Sequence, residues 1–149
     1  MVANKWDLLS AREAVVAAYV RAHLPFMGHY PLVFVSARTG HHLRRSLDAV
    51  ERVAAAVRTT LSTGVLNRAL AEAVRKVAPP APKGRALKIF YAVQVGQSPL
   101  RIKVFVNHKE RVSKAYQDYL MRALRERFAL DGVPIVLLLQ ARQGRGAAV

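Results

Sequence analysis

Cysteine is absent from the 149 residues, which excludes disulfides, thiolate metal sites and thiol nucleophiles and fits a reducing compartment. Acidic residues are scarce: 9 Asp and Glu stand against 24 Lys and Arg, leaving a net charge of +15. Long apolar runs are missing too, since 14–20 and 134–139 fall well short of the roughly 20 residues that cross a bilayer. The start carries Asp7 where a signal peptide would be apolar, so a soluble, intracellular protein with no membrane partner is expected. Two catalytic strings are also lacking. No Gly-x-x-x-x-Gly-Lys-Ser/Thr occurs, and no Asp-x-x-Gly precedes Asn4. Without them the chain has neither a phosphate cradle nor a magnesium ligand for phosphoryl transfer.

What is present is an ample apolar fraction, 52%, enough for a packed core. The charge is unevenly spread. Residues 1–60 hold 8 basic and 4 acidic groups and residues 61–149 hold 16 and 5, so the second part carries +11. Such a field attracts polyanions, and RNA or ribosome contact is the leading expectation.

The apolar spacing divides the chain into two patterns. Residues 10–24 read as a helix, with Ser10 as N-cap and Glu13 at the capping-box position. The wholly apolar run 31–35 suits a buried parallel strand. Ser36-Ala-Arg-Thr-Gly40 is a loop, and Leu43, Leu47, Val50, Ala54, Val57 and Leu61 recur at helical spacing. This is α/β grammar for residues 1–61. From Ser62 a third helix runs to Val77, and 79–84 reads as a stiff Pro-rich connector. Strands follow at 86–95 and 101–107, joined by a turn at 96–99. In the first of them Leu87, Ile89, Tyr91, Val93 and Val95 are expected on one face. A fourth helix carries Tyr116, Tyr119, Leu120 and Leu124 on its apolar stripe and Lys114, Asp118, Arg122, Arg125 and Glu126 on its outer side. A last strand, 133–139, is apolar on both faces. Residues 62–142 thus form an α-β-β-α-β unit of the α+β class, and 143–149 are expected to be a flexible tail.

Asn4-Lys5-Trp6-Asp7 is the most specific string. An Asn-Lys-x-Asp sequence selects guanine because its carboxylate accepts two hydrogen bonds from the base edge, which adenine cannot supply. About thirty residues on, a buried strand runs into Ser36-Ala37, where a second base-contacting loop would present a backbone N–H. With these two motifs in register, and with Pro79-Pro80, Leu87-Lys88-Ile89, Phe105-Val106-Asn107, Tyr119-Leu120 and Pro134-Ile135 behind them, the chain resembles the Der (EngA) family of ribosome-assembly GTPases. The resemblance covers all but the tail. It implies the end of a P-loop GTP-binding domain over 1–61 and a KH-like domain over 62–142. It further implies GTP as ligand through Asn4, Lys5, Asp7, Ser36 and Ala37. Magnesium would be held only with an N-terminal part missing from this sequence. The implied partner is the large ribosomal subunit and its rRNA, not DNA, with a monomer in the cytoplasm or an organelle interior.

The family is enzymatic, yet this chain is expected to be inactive alone. It reads as a piece of a longer gene; the alternative is a stand-alone RNA- or ribosome-binding protein with a vestigial GTPase remnant. Val136 and Gln117 stand where the family commonly has basic residues, and Arg101 where it is usually apolar. Residues 62–142 contain no Gly-x-x-G, so the ordinary KH clamp on single-stranded RNA is not carried over. Lys88, Arg101, Lys103, Arg122 and Arg125 are the RNA-contact candidates. The first three are expected to share a sheet face with Phe90 and Phe105, a face that equally suits packing on the GTP-binding domain. Tyr116 and Tyr119 are expected in the core. His41-His42 has no third ligand nearby in sequence, and adjacent imidazoles are expected to point apart, so a loop and helix start is expected and not a metal site. Ser36 and Ser98 have no discernible His/Asp partnership for nucleophilic catalysis.

Overall fold

The computed structural model describes residues 1–80 and 87–142; most of the 79–84 connector and the whole 143–149 tail lie outside them. The chain divides into two compact units, Met1–Ala56 with Asp131–Val133, and Val57–Leu130 with Pro134–Val149.

In the first unit, β1 (Val2–Ala3) pairs in parallel with β2 (Val33–Phe34), Val2 opposite Val33 and Ala3 opposite Phe34. Helices α1 (Glu13–His23) and α2 (Leu43–Val57) follow the two strands. Helix α1 begins later than the Ser10 cap predicts. Arg12 occupies the N-cap with no side-chain hydrogen bond, and Glu13 opens the first turn. The Glu13 carboxylate instead lies 3.4 Å from His42 Nδ1, so this contact takes the place of the capping box. Pro25 and the 3₁₀ turn through Met27 terminate the helix. Little of this unit is buried: Phe34, Val35, Ser36, Ala49, Gly132 and Val133 are, while Val15 and Tyr19 on α1 and Leu43, Leu47 and Val50 on α2 remain exposed. Gly132 belongs here as well. Its N–H donates to His29 O at 2.8 Å, its φ is +78°, and a Cβ would sit 2.8 Å from Val53 Cγ2. Only glycine meets both conditions without strain.

The second unit runs α3 (Thr63–Lys76), β3 (Ile89–Gly96), β4 (Leu100–Val106), α4 (Lys114–Phe128) and β5 (Ile135–Ala141). Its three-stranded sheet has the order β3-β4-β5, antiparallel then parallel. A parallel partner cannot be reached by a tight turn, and α4 is the crossover that returns the chain. Both helices start at serine caps: Ser62 Oγ accepts from Val65 N at 3.5 Å and Ser113 Oγ from Tyr116 N at 3.2 Å. Ile102, Val104 and Val106 alternate along β4 and are fully buried, as are Leu66 and Leu70 of α3 and Leu120 and Leu124 of α4, with α3 lying against β3, α4 against β5, and the two helices against each other. Tyr116 belongs to this layer as expected, while Tyr119 is half-buried and lines a groove between α3 and α4. Their hydroxyls donate to Val77 O at 2.9 Å and Ala73 O at 2.8 Å. Burial, with a smaller contribution from Tyr119, pushes the Tyr116 phenol up to about 12.

Strand β3 departs from the expected alternation. Ile89 pairs with Val106, but Tyr91 pairs with Phe105, so two residues of β3 advance against one of β4. This is a β-bulge, and it exchanges the faces. Beyond it Tyr91 and Val93 stand opposite Phe105 and Lys103, while Ala92 and Gln94 stand opposite Val104 and Ile102. Ala92 is fully buried and Val95 exposed, the reverse of a single continuous stripe. The last strand also differs from its reading. It has one covered face only, Val136 and Leu138 being exposed. Arg142 is fixed by the ladder through its N–H to Val106 O at 2.8 Å.

Strand β3 lies at the sheet's edge, where main-chain groups lack a strand partner. Asn67 of α3 fills the gap at its middle. Its Nδ2 donates to Ala92 O at 2.9 Å and to Thr63 O at 2.7 Å, and its Oδ1 accepts from Ala92 N at 2.7 Å. One carboxamide thereby replaces a strand. Asn67→Leu is expected to leave two buried main-chain groups unsatisfied and to destabilise this unit by about 2–4 kcal/mol. Urea denaturation checks this; an unchanged midpoint would show that water restores both bonds.

Candidate guanine site and basic surface

The expected base-recognition residues come together within the first unit. After β1 the backbone of Lys5 adopts φ 63°, ψ 35°, a left-handed conformation that a non-glycine residue holds at some cost. The turn brings the Asn4 side chain across to the second loop. Asn4 Oδ1 accepts from its neighbour Lys5 N at 2.7 Å and from Ala37 N at 3.1 Å. Asp7 Oδ1 accepts from Ser36 Oγ at 2.5 Å, and Ser36 Oγ accepts in turn from Thr39 N at 3.2 Å. Ser36 is completely buried; its N–H donates to His41 O and its carbonyl accepts from Gly40 N. Below the loops, the Trp6 and Phe34 rings pack with centroids 4.5 Å apart, and Trp6 N donates to Val35 O.

Asn4, Lys5, Asp7, Leu8, Ala37 and Arg38 line a cavity of about 260 Å³. Arg38, which the sequence did not single out, places Nε 4.0 Å from Asp7 Oδ2. It is an exposed cation beside the carboxylate. Its adjacency to Ser36-Ala37 was the only available signal. The Ala37 N–H expected to meet a guanine carbonyl is already engaged by Asn4, so base binding would exchange that hydrogen bond for another.

The basic candidates do not form one surface. Arg101 and Lys103 lie on the sheet face away from the helices, paired across β5 with Val136 and Leu138. Tyr91, not Phe90, joins them there, its ring stacked on Phe105 at 4.3 Å and 16°. The bulge is the reason for that exchange. Lys88 precedes β3, where its N–H donates to Asn107 Oδ1. Arg122 is on the opposite side, in a groove of about 410 Å³ between α3 and α4 that also holds Glu72, Lys76 and Glu126. Arg125 is half-buried and not on the outer side. The sheet face is therefore both basic and aromatic, whereas the helix groove carries mixed charge.

An α-β-β-α-β chain with a mixed three-stranded sheet and both helices on one face is a KH-like α+β domain. Residues 60–140 match the family described as the KH-domain-like, C-terminal part of EngA bacterial GTPase enzymes, and the chain belongs to that family. It is similar to GTPase Der of Moorella thermoacetica, with 39% identity over 148 residues, 97% of this chain and 33% of the relative. Against GTPase Der of Thermoanaerobacter sp. (strain X514) the identity is 38% over 145 residues, covering 95% and 33%. For Geobacter metallireducens GTPase Der the values are 36% over 147 residues, 97% and 34%. The chain spans about a third of the length of the curated relatives it matches. Among the described residues no helix is long and apolar enough to cross a membrane.

Asn4→Ala is expected to uncouple the two loops. The Ala37 amide should then exchange with solvent about five- to tenfold faster, as loss of one hydrogen bond worth about 1–1.5 kcal/mol implies. Hydrogen exchange followed by NMR reads this directly, with the Trp6 amide as the internal control.

Proposed function

We propose that the chain is the C-terminal portion of a GTPase for large-subunit ribosome maturation. Residues 1–61 are the guanine-recognition end of a GTP-binding domain and 62–142 the KH-like domain. The observation that carries this reading is the meeting of Asn4 and Asp7 with Ala37 and Ser36 across 29 and more residues of sequence. Asp7 would accept from the guanine edge, Ala37 N–H would meet the guanine carbonyl, and the Lys5 stem would cover the ring. Asn4 and Ser36 would hold the loops at the required spacing. The exposed apolar side chains of α1 and α2 support the same reading. They are the faces that helices of a doubly wound sheet lay on strands, and the relatives have about twice as much further chain to supply them. Phosphate and magnesium chemistry would belong to that further chain, in the cytoplasm or an organelle interior. The basic domain would dock on rRNA.

Since this sequence has no phosphate loop, the chain alone should neither hydrolyse GTP nor bind it tightly. Calorimetry giving micromolar affinity would overturn that assignment of where the affinity lies. In a polypeptide that includes the phosphate loop, Asp7→Asn should move base preference from guanine towards xanthine, because it exchanges an acceptor for a donor. Nucleotide competition measures the switch.

RNA affinity of the present chain should fall steeply with salt, with a log–log slope of several units. Charge reversal at Lys88, Arg101 and Lys103 should flatten the slope. If reversal at Arg122 and Arg125 flattens it instead, the contact lies on α4 and the sheet face serves protein packing.

A further inference from the structure

The His41-His42 pair behaves unlike the sequence reading. Its rings do not diverge but lie with centroids 3.7 Å apart and an interplanar angle of 32°. The reason is local. His42 has φ 54°, a left-handed backbone that turns its side chain back over its neighbour's, and a non-glycine residue takes up that conformation at an energetic cost. A third ligand also arrives, from a segment that sequence proximity could not indicate. Glu13, in the first turn of α1, places Oε1 3.4 Å from His42 Nδ1. One ligand atom from each of Glu13, His41 and His42 lies within 4.8 Å of the others.

We propose that Glu13, His41 and His42 form a binding site for a divalent transition-metal ion of the zinc class. Two imidazoles and one carboxylate are the donor set such borderline ions favour, whereas magnesium and calcium prefer oxygen alone. Bonds of about 2.0–2.2 Å to a tetrahedral ion bring the ligand atoms to roughly 3.3–3.5 Å from one another. The side chains must therefore close by about an ångström. His41 is exposed and Glu13 partly so, and rotation about their side-chain torsions supplies that movement without touching the core. Water would complete the coordination.

Two features oppose the ion and weaken its binding. One is position, since Glu13 and His42 stand at the positive ends of α1 and α2. The other is Arg45, whose Nη1 lies 3.4 Å from His42 Nδ1 and 3.3 Å from Nε2. Near-equal distances mean that the guanidinium is aimed at neither lone pair, and Arg45 is exposed and free to swing away. Occupancy has a local effect as well. The His41 carbonyl holds Ser36 N–H at 3.1 Å, so an ion on His41 and Glu13 would pin the Ser36–Gly40 loop to the start of α1. This consequence holds whether or not the loop binds guanine.

The test is titration of the whole chain with zinc chloride, read by calorimetry and by the NMR signals of the five histidines. One zinc ion per chain is expected, with His41 and His42 signals moving and amide exchange slowing across 36–42. His41→Ala and His42→Ala should each weaken binding by more than about tenfold. Glu13→Gln should weaken it less. Arg45→Gln should tighten it about fivefold, the effect in water of removing one positive charge roughly 8 Å from a doubly charged ion. That gain separates a metal site from a structural cluster, because a loss of fold cannot produce it. His23→Ala and His108→Ala should change nothing. Absence of zinc binding, binding that survives the paired loss of His41 and His42, or equal displacement by magnesium would each overturn the proposal.

Discussion

Strand β4 is the constraint to which the second unit answers. Among the described residues it is the one strand hydrogen-bonded on both sides, antiparallel to β3 and parallel to β5. Parallel pairing obliges the chain to leave the sheet and return, which fixes α4 as a crossover. Its inner residues Ile102, Val104 and Val106 are inaccessible to solvent, and the two helices that bury them leave the outer face open. A sheet this narrow can be covered on one side by two helices and no more. The cluster of Arg101, Lys103, Phe105 and Tyr91 on its outer side follows from that count of layers, not from any local preference.

The first unit shows the complementary situation. Two strands of two residues each hold a pair of loops at the correct spacing, and the loops then hold each other through Asn4, Asp7, Ser36 and Ala37. Polar bonds stand in for hydrophobic burial. Such an arrangement is geometrically specific and energetically thin, since each bond contributes only about 1 kcal/mol net. Two loops can thus keep a defined geometry where little core supports them.

Much of this was legible in the sequence because it rests on periodicity and on spacing. The order of elements and the buried alternation of Ile102, Val104 and Val106 follow from side chains a few residues apart. What escaped depends on pairing across the chain. The bulge at residues 89–91 is invisible until β3 is laid against β4, and it moves Tyr91 to the face assigned to Phe90. Glu13 looks like a capping residue until His42 arrives from thirty residues away. Gly132 gives no hint in sequence that Val53 and Pro31 leave no room for a side chain.

The carboxamide of Asn67 also bears on how the molecule meets copies of itself. A sheet margin is a template onto which a stray extended segment can zip, and zipping needs an uninterrupted row of free donors and acceptors. By occupying both main-chain groups of Ala92, Asn67 breaks that row near its midpoint, leaving runs too short on either side to nucleate an added strand. On this margin of the sheet, the residue that completes the fold locally also stands in the way of an added strand.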